Sequence, residues 1–549
     1  MSLRLEESTP IPEETVRVAR AAFPKGNRYM TMRDVLGQIY DDASFAPLFS
    51  VRGRPAEAPW RLALVTVMQF AEGLSDRQAA EAVRARIDWK YTLGLELSDA
   101  GFDFSVLSEF RARLLAGSAE EILLDALLAH CAARGLLKAR GRQRTDSTHV
   151  LMAVRTLNRL ERVSETLRHA LTALAEVAPE WLRTVSAPEW FERYGRRVEE
   201  YRLPRGKEER QQYALTVGRD GVRLLEAVSA AGAPPRARQL PAVDLVRRVW
   251  ITEYQVVEGQ LQQRAPDNMP PCSQRLESPY DPEARFSVKR STEWSGYKVH
   301  VSETCEDDTP ALLTHVETTV ATEPDVNQLE TIHAALVAKD LPPSTHLVDA
   351  GYPCAQSVVS SMRDHAIDVV GPVYDDRSWQ ARTGEGFDLE HFMINWAQQV
   401  VTCPQGHHSI RWCVTHTARR RTMVHVDFAA ADCTPCPVRA SCTRAKTLPR
   451  SLTLQPQAEH EAMVAARQRQ QTPEFAQQYA RRAGIEGTLS QGVRVCGLRR
   501  ARYRGLAKTH LQHVATAAGL NIGRLWRWEQ HRPRARTRRS RFAALAPTG

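Results

Sequence analysis

The sequence has no apolar run long enough to cross a membrane as a helix. Its longest apolar window, residues 60–71, contains Gln69 and is followed by Glu72, whereas a membrane-spanning helix needs about 20 apolar residues. The acidic N-terminus, MSLRLEESTPIPEE, lacks the apolar segment of a secretory signal. We therefore expect a cytoplasmic protein with no membrane partner.

Acidic residues are scarce toward the C-terminus. Residues 494–541 contain 14 Lys and Arg but a single acid, Glu529, and the whole chain has a net charge of +10. Such a run neutralises many phosphates when it lies along DNA, although a solvated basic tail has the same composition. The charge distribution favours a nucleic acid as the partner.

Internal repeats and long low-complexity segments are also missing, and the rest of the chain has alternating helix and strand patterns. Residues 28–135 have helical periodicity, with Ser75 and Ser105 as predicted N-caps. This segment suits a DNA-binding helical module or a plain helical bundle. A strand is predicted at residues 142–150 and further helices at residues 151–245.

Residues 295–375 predict two strands, a helix, a strand, a second helix and a last strand. In the first strand, Lys298, His300 and Ser302 alternate with apolar residues, which predicts a half-buried strand. Asp325 is predicted to cap the first helix. With 549 residues, the chain is too long for one hydrophobic core, so we expect several domains.

Asp146 and Asp349 each follow or end a short predicted strand. Small residues come after both, Ser147 and Thr148 in one case, Ala350 and Gly351 in the other. Carboxylates at strand ends suit phosphodiester chemistry, which needs divalent cations held by hard oxygen ligands. An Asp in this position is otherwise a turn former or a helix cap, so each residue alone leaves both interpretations open.

Glu486 lies on a helix predicted over residues 473–493, which Thr472 and Pro473 begin. Steps of three and four residues place one stripe on a single helical face: Phe475, Tyr479, Arg482, Glu486, Leu489 and Val493. A charge on such a face needs a partner or a function, and a salt bridge between residues four apart is the simpler alternative. Gly484 and Gly487 lower the stability of the helix relative to alanine. A close approach of another backbone, such as DNA, would explain why glycine is present at these positions.

Several segments together resemble the DDE transposases of bacterial insertion sequences. They are TDST (145–148), SPYDPEARFSVKR with GYKVH (within 278–300), VDAGYP (348–353) and IEGTLSQGVRVCGLRRARYRG (485–505). LSDRQAAEAVRARIDWKYTLGL and FSVLSEFRARL are similar to the leading domain of this family. The likeness extends over roughly residues 28–530. Within the family, the sequence resembles the subgroup that has a helical N-terminal domain and a cysteine cluster before the final glutamate.

This resemblance implies an α/β fold with a ribonuclease H-like catalytic core. It implies two Mg²⁺ (or Mn²⁺) ions, double-stranded DNA of element ends and target as partner, and hydrolysis followed by strand transfer through a 3′-hydroxyl. By motif, the first, second and third catalytic acids and metal ligands are Asp146, Asp349 and Glu486. By analogy with the family, we expect a bacterial, nucleoid-associated protein that forms a homodimer when it pairs two ends.

Related transposases carry a Tyr, Arg, Glu, Lys signature on the last helix, which Tyr479, Arg482 and Glu486 match in its first three members. The lysine position is Val493 here, so we predict that the neighbouring Arg494 contacts phosphate instead. A further group of arginines just beyond the helix is predicted to contact phosphates and position the DNA: Arg499, Arg500, Arg502 and Arg504.

Five of the ten cysteines fall between residues 403 and 442. The Cys-x-x-Cys pair Cys433 and Cys436, near Pro and Gly turns, is typical of half a zinc knuckle. The resemblance adds Cys403 and Cys442 to a four-thiolate structural Zn²⁺ site in a small zinc-ribbon-like insertion. His407, His408 or Cys413 are alternative ligands, and free thiols are the other interpretation.

The predicted functions are an active transposase or, as alternatives, a DNA-binding protein of the same descent that no longer cuts, or a nuclease without strand transfer. The presence of all three acids favours the active enzyme. The predicted domains are a helical N-terminal DNA-binding domain (1–135), the first core strand (136–150), a helical insertion and loop (151–285), the ribonuclease H-like core (286–375), a cysteine-rich zinc-binding insertion (376–470), the catalytic glutamate helix with the C-terminal helix (471–530) and a basic tail (531–549).

Overall fold

The computed structural model describes residues 2–3, 10–417 and 421–532, together with Phe542 and Leu545. Most of the predicted basic tail, residues 531–549, lies outside the described residues.

Helices make up about half of the described chain. The α-helices there are α1 Glu13–Ala22, α2 Arg28–Leu36, α3 Pro59–Glu72, α4 Asp76–Ala85, α5 Ile87–Leu93, α6 Ser105–Ala116, α7 Ile122–Ala133, α8 Arg159–Val177, α9 Pro179–Val185, α10 Pro188–Tyr194, α11 Lys207–Ser229, α12 Pro235–Arg238, α13 Pro241–Glu253, α14 Leu329–Ala338, α15 Ala355–His365, α16 Trp379–Thr383, α17 Ala430–Cys433, α18 Arg439–Cys442, α19 Gln457–Gln470, α20 Pro473–Ala480, α21 Gly484–Cys496 and α22 Leu506–Glu529. Short 3₁₀ helices cover Ala43–Leu48, Glu200–Arg202, Pro266–Asn268, Asp325–Asn327, Leu389–His391 and Arg481–Ala483.

The strands of the described chain are β1 Arg140–Leu151, β2 Tyr254–Val257, β3 Gln260–Gln263, β4 Arg285–Lys289, β5 Thr292–Thr304, β6 Leu313–Val320, β7 Pro343–Val348, β8 Asp368–Val370, β9 Met393–Asn395, β10 Val400–Thr402, β11 Arg411–His416, β12 Thr422–Asp427 and β13 Ser451–Leu454.

One mixed sheet is built around β1 and β5. The long strand β5 pairs antiparallel with β1, β4 and β6, whereas β7 pairs parallel with β1, and β8 pairs parallel with β7. Since β7 and β8 run in the same direction, the chain crosses over between them through α15, as parallel strands require. The α/β class predicted from the sequence is confirmed.

Local sequence signals place some helix ends as predicted and others not. Ser75 forms a capping box at α4, and the side chain of Thr472 accepts from Phe475 N at the start of α20. The prediction that Ser105 is a cap is wrong, because Asp103 Oδ1 accepts from Ser105 N instead. The single helix predicted over residues 473–493 is divided into α20 and α21 by the 3₁₀ turn at residues 481–483.

A continuous hydrophobic core joins the N-terminal helices to the mixed sheet. It includes Trp60 and Phe70 of α3, Tyr297 of β5 and Val514 of α22. A Cβ at Gly519 would lie 2.9 Å from the Ala71 Cβ, so glycine allows α22 to approach α3 closely. The N-terminal helices, predicted as a separate domain, therefore share their core with the sheet.

Two further hydrophobic clusters lie outside this core. The helices between β1 and β4 have their own cluster, including Leu167, Trp190 and Val246. The cysteine-rich region packs Val426 and Leu454 of the sheet β11-β12-β13 against other apolar residues. The two clusters lie within residues 151–285 and 376–470, where the sequence predicts insertions, and the domain division itself stays a prediction.

The prediction of a half-buried β5 is wrong. All residues from 294 to 304 are buried, including Lys298, His300 and Ser302. The polar side chains are accommodated by buried partners. His300 bonds to the Tyr352 hydroxyl at 2.7 Å, and Ser302 bonds to the Thr145 hydroxyl at 2.6 Å.

Candidate active site

Two of the predicted acids are brought together by the parallel pairing of β1 and β7. Thr145 of β1 lies opposite Val348 of β7. The next residue along each strand direction is an aspartate, Asp146 in β1 and Asp349 just after β7. Because the strands are parallel and paired in this register, the two aspartates lie side by side on neighbouring chain segments.

Glu486, near the start of α21, completes the group. Asp146, Asp349 and Glu486 line one open cleft of about 570 Å³. The cleft is also lined by the predicted DNA contacts Tyr479 and Arg482. Three acids that lie far apart in the sequence therefore share one solvent-accessible surface.

Backbone groups orient the two aspartates. Ser147 N donates to Asp146 Oδ1 at 2.8 Å, and Gly351 N donates to Asp349 Oδ1 at 2.9 Å. In contrast, 68% of the Glu486 side chain is exposed. Backbone amides thus hold Asp146 in the middle of β1 and Asp349 just after β7, whereas the glutamate is open to solvent.

Arg482, on the 3₁₀ turn between α20 and α21, lies between two of the acids. Its Nη2 is 2.6 Å from Asp146 Oδ2, and its Nη1 is 3.3 Å from Glu486 Oε1. Burial raises the pKa of Asp146; Arg482 opposes the rise, and Asp349 adds to it. The salt bridge that the sequence left as an alternative is present, together with a second bond to Asp146.

α21 is held against the sheet by Arg144 of β1. A Cβ on Gly484 would lie 2.1 Å from Arg144 Nη1, so only glycine leaves room for this guanidinium. The predicted backbone approach at Gly484 is therefore wrong, since a side chain fills the space. A Cβ on Gly487 would meet no atom within 4 Å, so that position faces open space.

Cationic side chains that the sequence analysis missed also line the cleft. They are Lys289 and Arg290 at the β4–β5 turn and Lys298 of β5. Lys298 lies in the GYKVH segment that contributes to the family resemblance. This motif was the sequence signal that could have placed Lys298 at the cleft. Arg499, predicted as a phosphate contact, lines the same cleft and donates to Thr148 Oγ1 at 2.8 Å.

The remaining predicted phosphate contacts do not line this cleft. Arg494 and Arg500 are exposed, and Arg504 lies 5.6 Å from the Tyr280 ring centroid. Arg502 differs most from its predicted role. Its guanidinium lies 4.8 Å from the Phe70 ring centroid and donates to the Leu74 carbonyl at 2.8 Å, and burial lowers its pKa.

The four cysteines predicted to bind zinc line one pocket: Cys403, Cys433, Cys436 and Cys442. Burial raises the pKa of Cys442, and the other three thiols add to the rise. Of the alternative ligands, His407 also lines the pocket, whereas His408 bonds to Thr402 Oγ1 at 3.0 Å. The four predicted thiols therefore lie around one shared pocket.

Neither site is assembled for a metal ion in this conformation. Among the residues that the structure describes, no group of three or more His, Cys, Asp or Glu side chains is arranged to hold one. At the acidic cleft, Arg482 occupies a position between Asp146 and Glu486. The donor types nevertheless fit the predicted ions, with carboxylates for Mg²⁺ and thiolates for Zn²⁺.

Comparisons with known proteins identify two regions of the chain. The family model described as "Transposase DDE domain" matches residues 402–526, which include Glu486 and the four cysteines. The model described as "Transposase domain (DUF772)" matches residues 17–113. No curated protein and no solved structure matches the chain. No helix in the described residues is long and apolar enough to span a bilayer. Two transposase family models thus match the two ends of a chain whose middle brings Asp146 and Asp349 to the same cleft as Glu486, and these matches confirm the resemblance to the DDE transposases of insertion sequences.

Proposed function

We propose that this transposase cleaves the ends of its insertion sequence and joins them to target DNA at the cleft lined by Asp146, Asp349 and Glu486. The observation that carries the proposal is the convergence of these three acids with basic side chains in one open cleft. Carboxylates there suit the binding of divalent cations, and the surrounding cations suit the phosphate backbone.

The three carboxylates would hold two Mg²⁺ or Mn²⁺ ions. When bound, such ions activate the attacking hydroxyl and stabilise the leaving oxygen. The Ser147 and Gly351 backbone amides keep Asp146 and Asp349 oriented toward the cleft. The exposed Glu486 has room to adjust its side chain.

Arg482 exchanges partners in this proposal. Without cations, its guanidinium offsets the negative charge of Asp146 and Glu486. Cations would take over that role, and Arg482 would then contact a DNA phosphate, for which a planar guanidinium is well suited. Lys289, Arg290 and Arg499 would position the same strand along the cleft.

The finer fold assignment is also a proposal. In the order β6-β5-β1-β7-β8, the strands β6, β5 and β1 pair antiparallel, and β7 and β8 continue the sheet parallel to β1. This arrangement supports a ribonuclease H-like core. The shared pocket of Cys403, Cys433, Cys436 and Cys442 supports a structural Zn²⁺ in a zinc-ribbon-like insertion. We further propose that the enzyme acts on double-stranded DNA in the nucleoid, and as a homodimer when two ends are paired.

Cleavage of labelled DNA that carries the element's own ends tests the function. We expect wild type to cut and join this DNA only with Mg²⁺ or Mn²⁺, and Asp349→Asn to bind it without cutting. Asp340→Asn is the matched control, because Asp340 is exposed and has φ 55°, a conformation that Asn tolerates. The control should cut like wild type.

Each of the other outcomes supports another interpretation. Equal cutting by wild type and Asp349→Asn would remove Asp349 from the site. Binding without cutting by every protein would favour a DNA-binding protein that has lost catalysis. Cutting without joined products would favour a nuclease.

A further inference from the structure

Lys298 is a buried cation at the catalytic cleft. Its Nζ donates to Asp325 Oδ1 at 2.8 Å and to the Glu323 carbonyl at 2.7 Å, and the residue is only 8% exposed. Lysine is almost never buried to this extent unless it is paired. The partner that makes this burial possible is Asp325.

The prediction that Asp325 caps a helix is wrong. Its side chain makes no capping bond to the 3₁₀ turn at residues 325–327, and α14 begins after Gln328. Instead, Asp325 is 8% exposed and faces the sheet, where Ser147 Oγ donates to its Oδ2 at 3.2 Å. Burial would raise the pKa of Asp325, but Lys298 outweighs burial and holds that pKa below its usual value.

The Asp325 carboxylate lies against the chain segments that hold both catalytic aspartates. On one side is Ser147, whose backbone amide orients Asp146. On the other side is Gly351, whose backbone amide orients Asp349. A Cβ on Gly351 would be 3.1 Å from Asp349 Oδ1 and 3.4 Å from Asp325 Oδ2.

Asp325 is already saturated by other partners and is not a free ligand. Lys298 occupies Oδ1, and Lys289 lies 3.4 Å from Oδ2, which also accepts from Ser147. Two ammonium groups beside one carboxylate leave no excess negative charge to attract a cation. Asp325 therefore acts through its neighbours.

We propose that the Lys298–Asp325 ion pair is a positioning element that sets the spacing between Asp146 and Asp349 for divalent-metal binding. This inference rests on the proposed function of the cleft. The pair connects β5 with the turn before α14, and it contacts the middle of β1 through Ser147 and the segment after β7 through Gly351. Removal of the ion pair should weaken the binding of divalent metal while leaving the three acids in the sequence unchanged.

The test is Mn²⁺ binding to the full chain without DNA, measured by electron paramagnetic resonance. The double variant Lys298→Met with Asp325→Leu removes the pair without changing the net charge. We expect its Kd for Mn²⁺ to rise about tenfold or more, as when groups that orient metal ligands are removed. If wild type binds Mn²⁺ and the double variant binds it with the same Kd, the inference is overturned but the proposed function is not. A wild type that neither binds Mn²⁺ nor cuts DNA with it would overturn the proposed function as well.

Lys339→Met is the matched control. Lys339 is a similarly buried lysine, 11% exposed, which pairs with Glu121 at 2.6 Å and Asp125 at 2.8 Å, away from the cleft. We expect this variant to lower the melting temperature but to leave Mn²⁺ binding unchanged. Equal weakening of Mn²⁺ binding by both variants would mean general destabilisation and would refute a positioning role.

A second variant keeps the test decisive if the double variant does not fold. Ser147→Ala removes the hydroxyl that connects Asp325 to β1 and leaves the ion pair intact. We expect a smaller weakening of Mn²⁺ binding in the same direction. Wild-type binding by Ser147→Ala would then count against the inference.

Discussion

Replacing Glu303 with glutamine removes the charge that holds the Glu486 helix against the sheet. Glu303 is fully buried on β5 and accepts from Arg144 Nε at 2.7 Å, from Arg524 Nη1 at 2.7 Å and from Thr488 Oγ1 at 2.6 Å. Thr488 lies on α21, two residues after Glu486. One carboxylate thus connects β1, α21 and α22.

The expected loss of stability follows from the two arginines left behind. Breaking a buried ion pair by removing one partner costs about 3–5 kcal/mol, because the other charge becomes uncompensated. Arg144 keeps a bond to the Arg481 carbonyl, and Arg524 keeps bonds to the Ala311 carbonyl and to Thr488. These remaining acceptors place the expected loss near the lower end, about 3 kcal/mol.

The loss should depend on pH in a defined direction. Burial would raise the pKa of Glu303, but Arg524 and Arg144 outweigh burial and hold that pKa below its ordinary value of 4.5. A depressed carboxylate pKa contributes stability above the unfolded pKa, and this stability is lost as pH falls through the folded pKa. The difference between wild type and Glu303→Gln should therefore be complete at neutral pH and shrink in acid below about pH 4.5.

Urea unfolding measures the loss of global stability. Hydrogen exchange of the α21 amides measures the local effect on this helix. Glu293→Gln is the control, since Glu293 lies on the same strand and is exposed. A loss below about 1 kcal/mol, or unchanged exchange in α21, would contradict the view that Glu303 anchors this helix.

Three further predictions concern the glycines of α21, two arginines and the cysteines. Gly484→Ala should destabilise the protein because the new Cβ would overlap a guanidinium, whereas Gly487→Ala should be neutral or stabilise by about 0.5–1 kcal/mol in thermal unfolding. Arg499→Ala should weaken DNA binding and reduce its salt dependence, while Arg502→Ala should lower the melting temperature with little change in the salt slope; equal slopes would contradict the assignment. Purified protein should contain about one zinc by elemental analysis, and Cys433→Ser should lose it; full zinc retention in this variant would remove Cys433 from the ligand set.

Short-range patterns in the sequence predicted much of the secondary structure. Strand patterns placed β1 and β7 correctly, and Asp349 directly follows β7 as predicted, whereas Asp146 lies in the middle of β1 rather than at its end. The predicted helix caps were correct where a side chain bonds to the backbone of its own turn, as at Ser75 and Thr472. They failed at Asp325, whose carboxylate bonds to a lysine of another element instead.

Burial was harder to predict from the same patterns. The alternation in β5 correctly indicates a strand, but alternation alone cannot show that both faces are covered. Lys298 and Glu303 are buried because ionic partners from distant elements compensate their desolvation. Such partners have no fixed sequence spacing, so a pattern within one strand contains no information about them.

Local sequence patterns predicted most of the strands and helices, and family motifs indicated the kind of protein and its three candidate acids. Which charges meet one another could not be predicted in this way. Arg482 bonds to Asp146 across 336 residues of sequence, and Arg502 packs on the N-terminal helices although it lies in the same short basic run as Arg499. The physical reason is that hydrophobic periodicity and capping act within a few residues of the chain. The pairing of β1 with β7 and the packing of α21 on the sheet depend on the whole core, and these contacts bring the acids into one cleft.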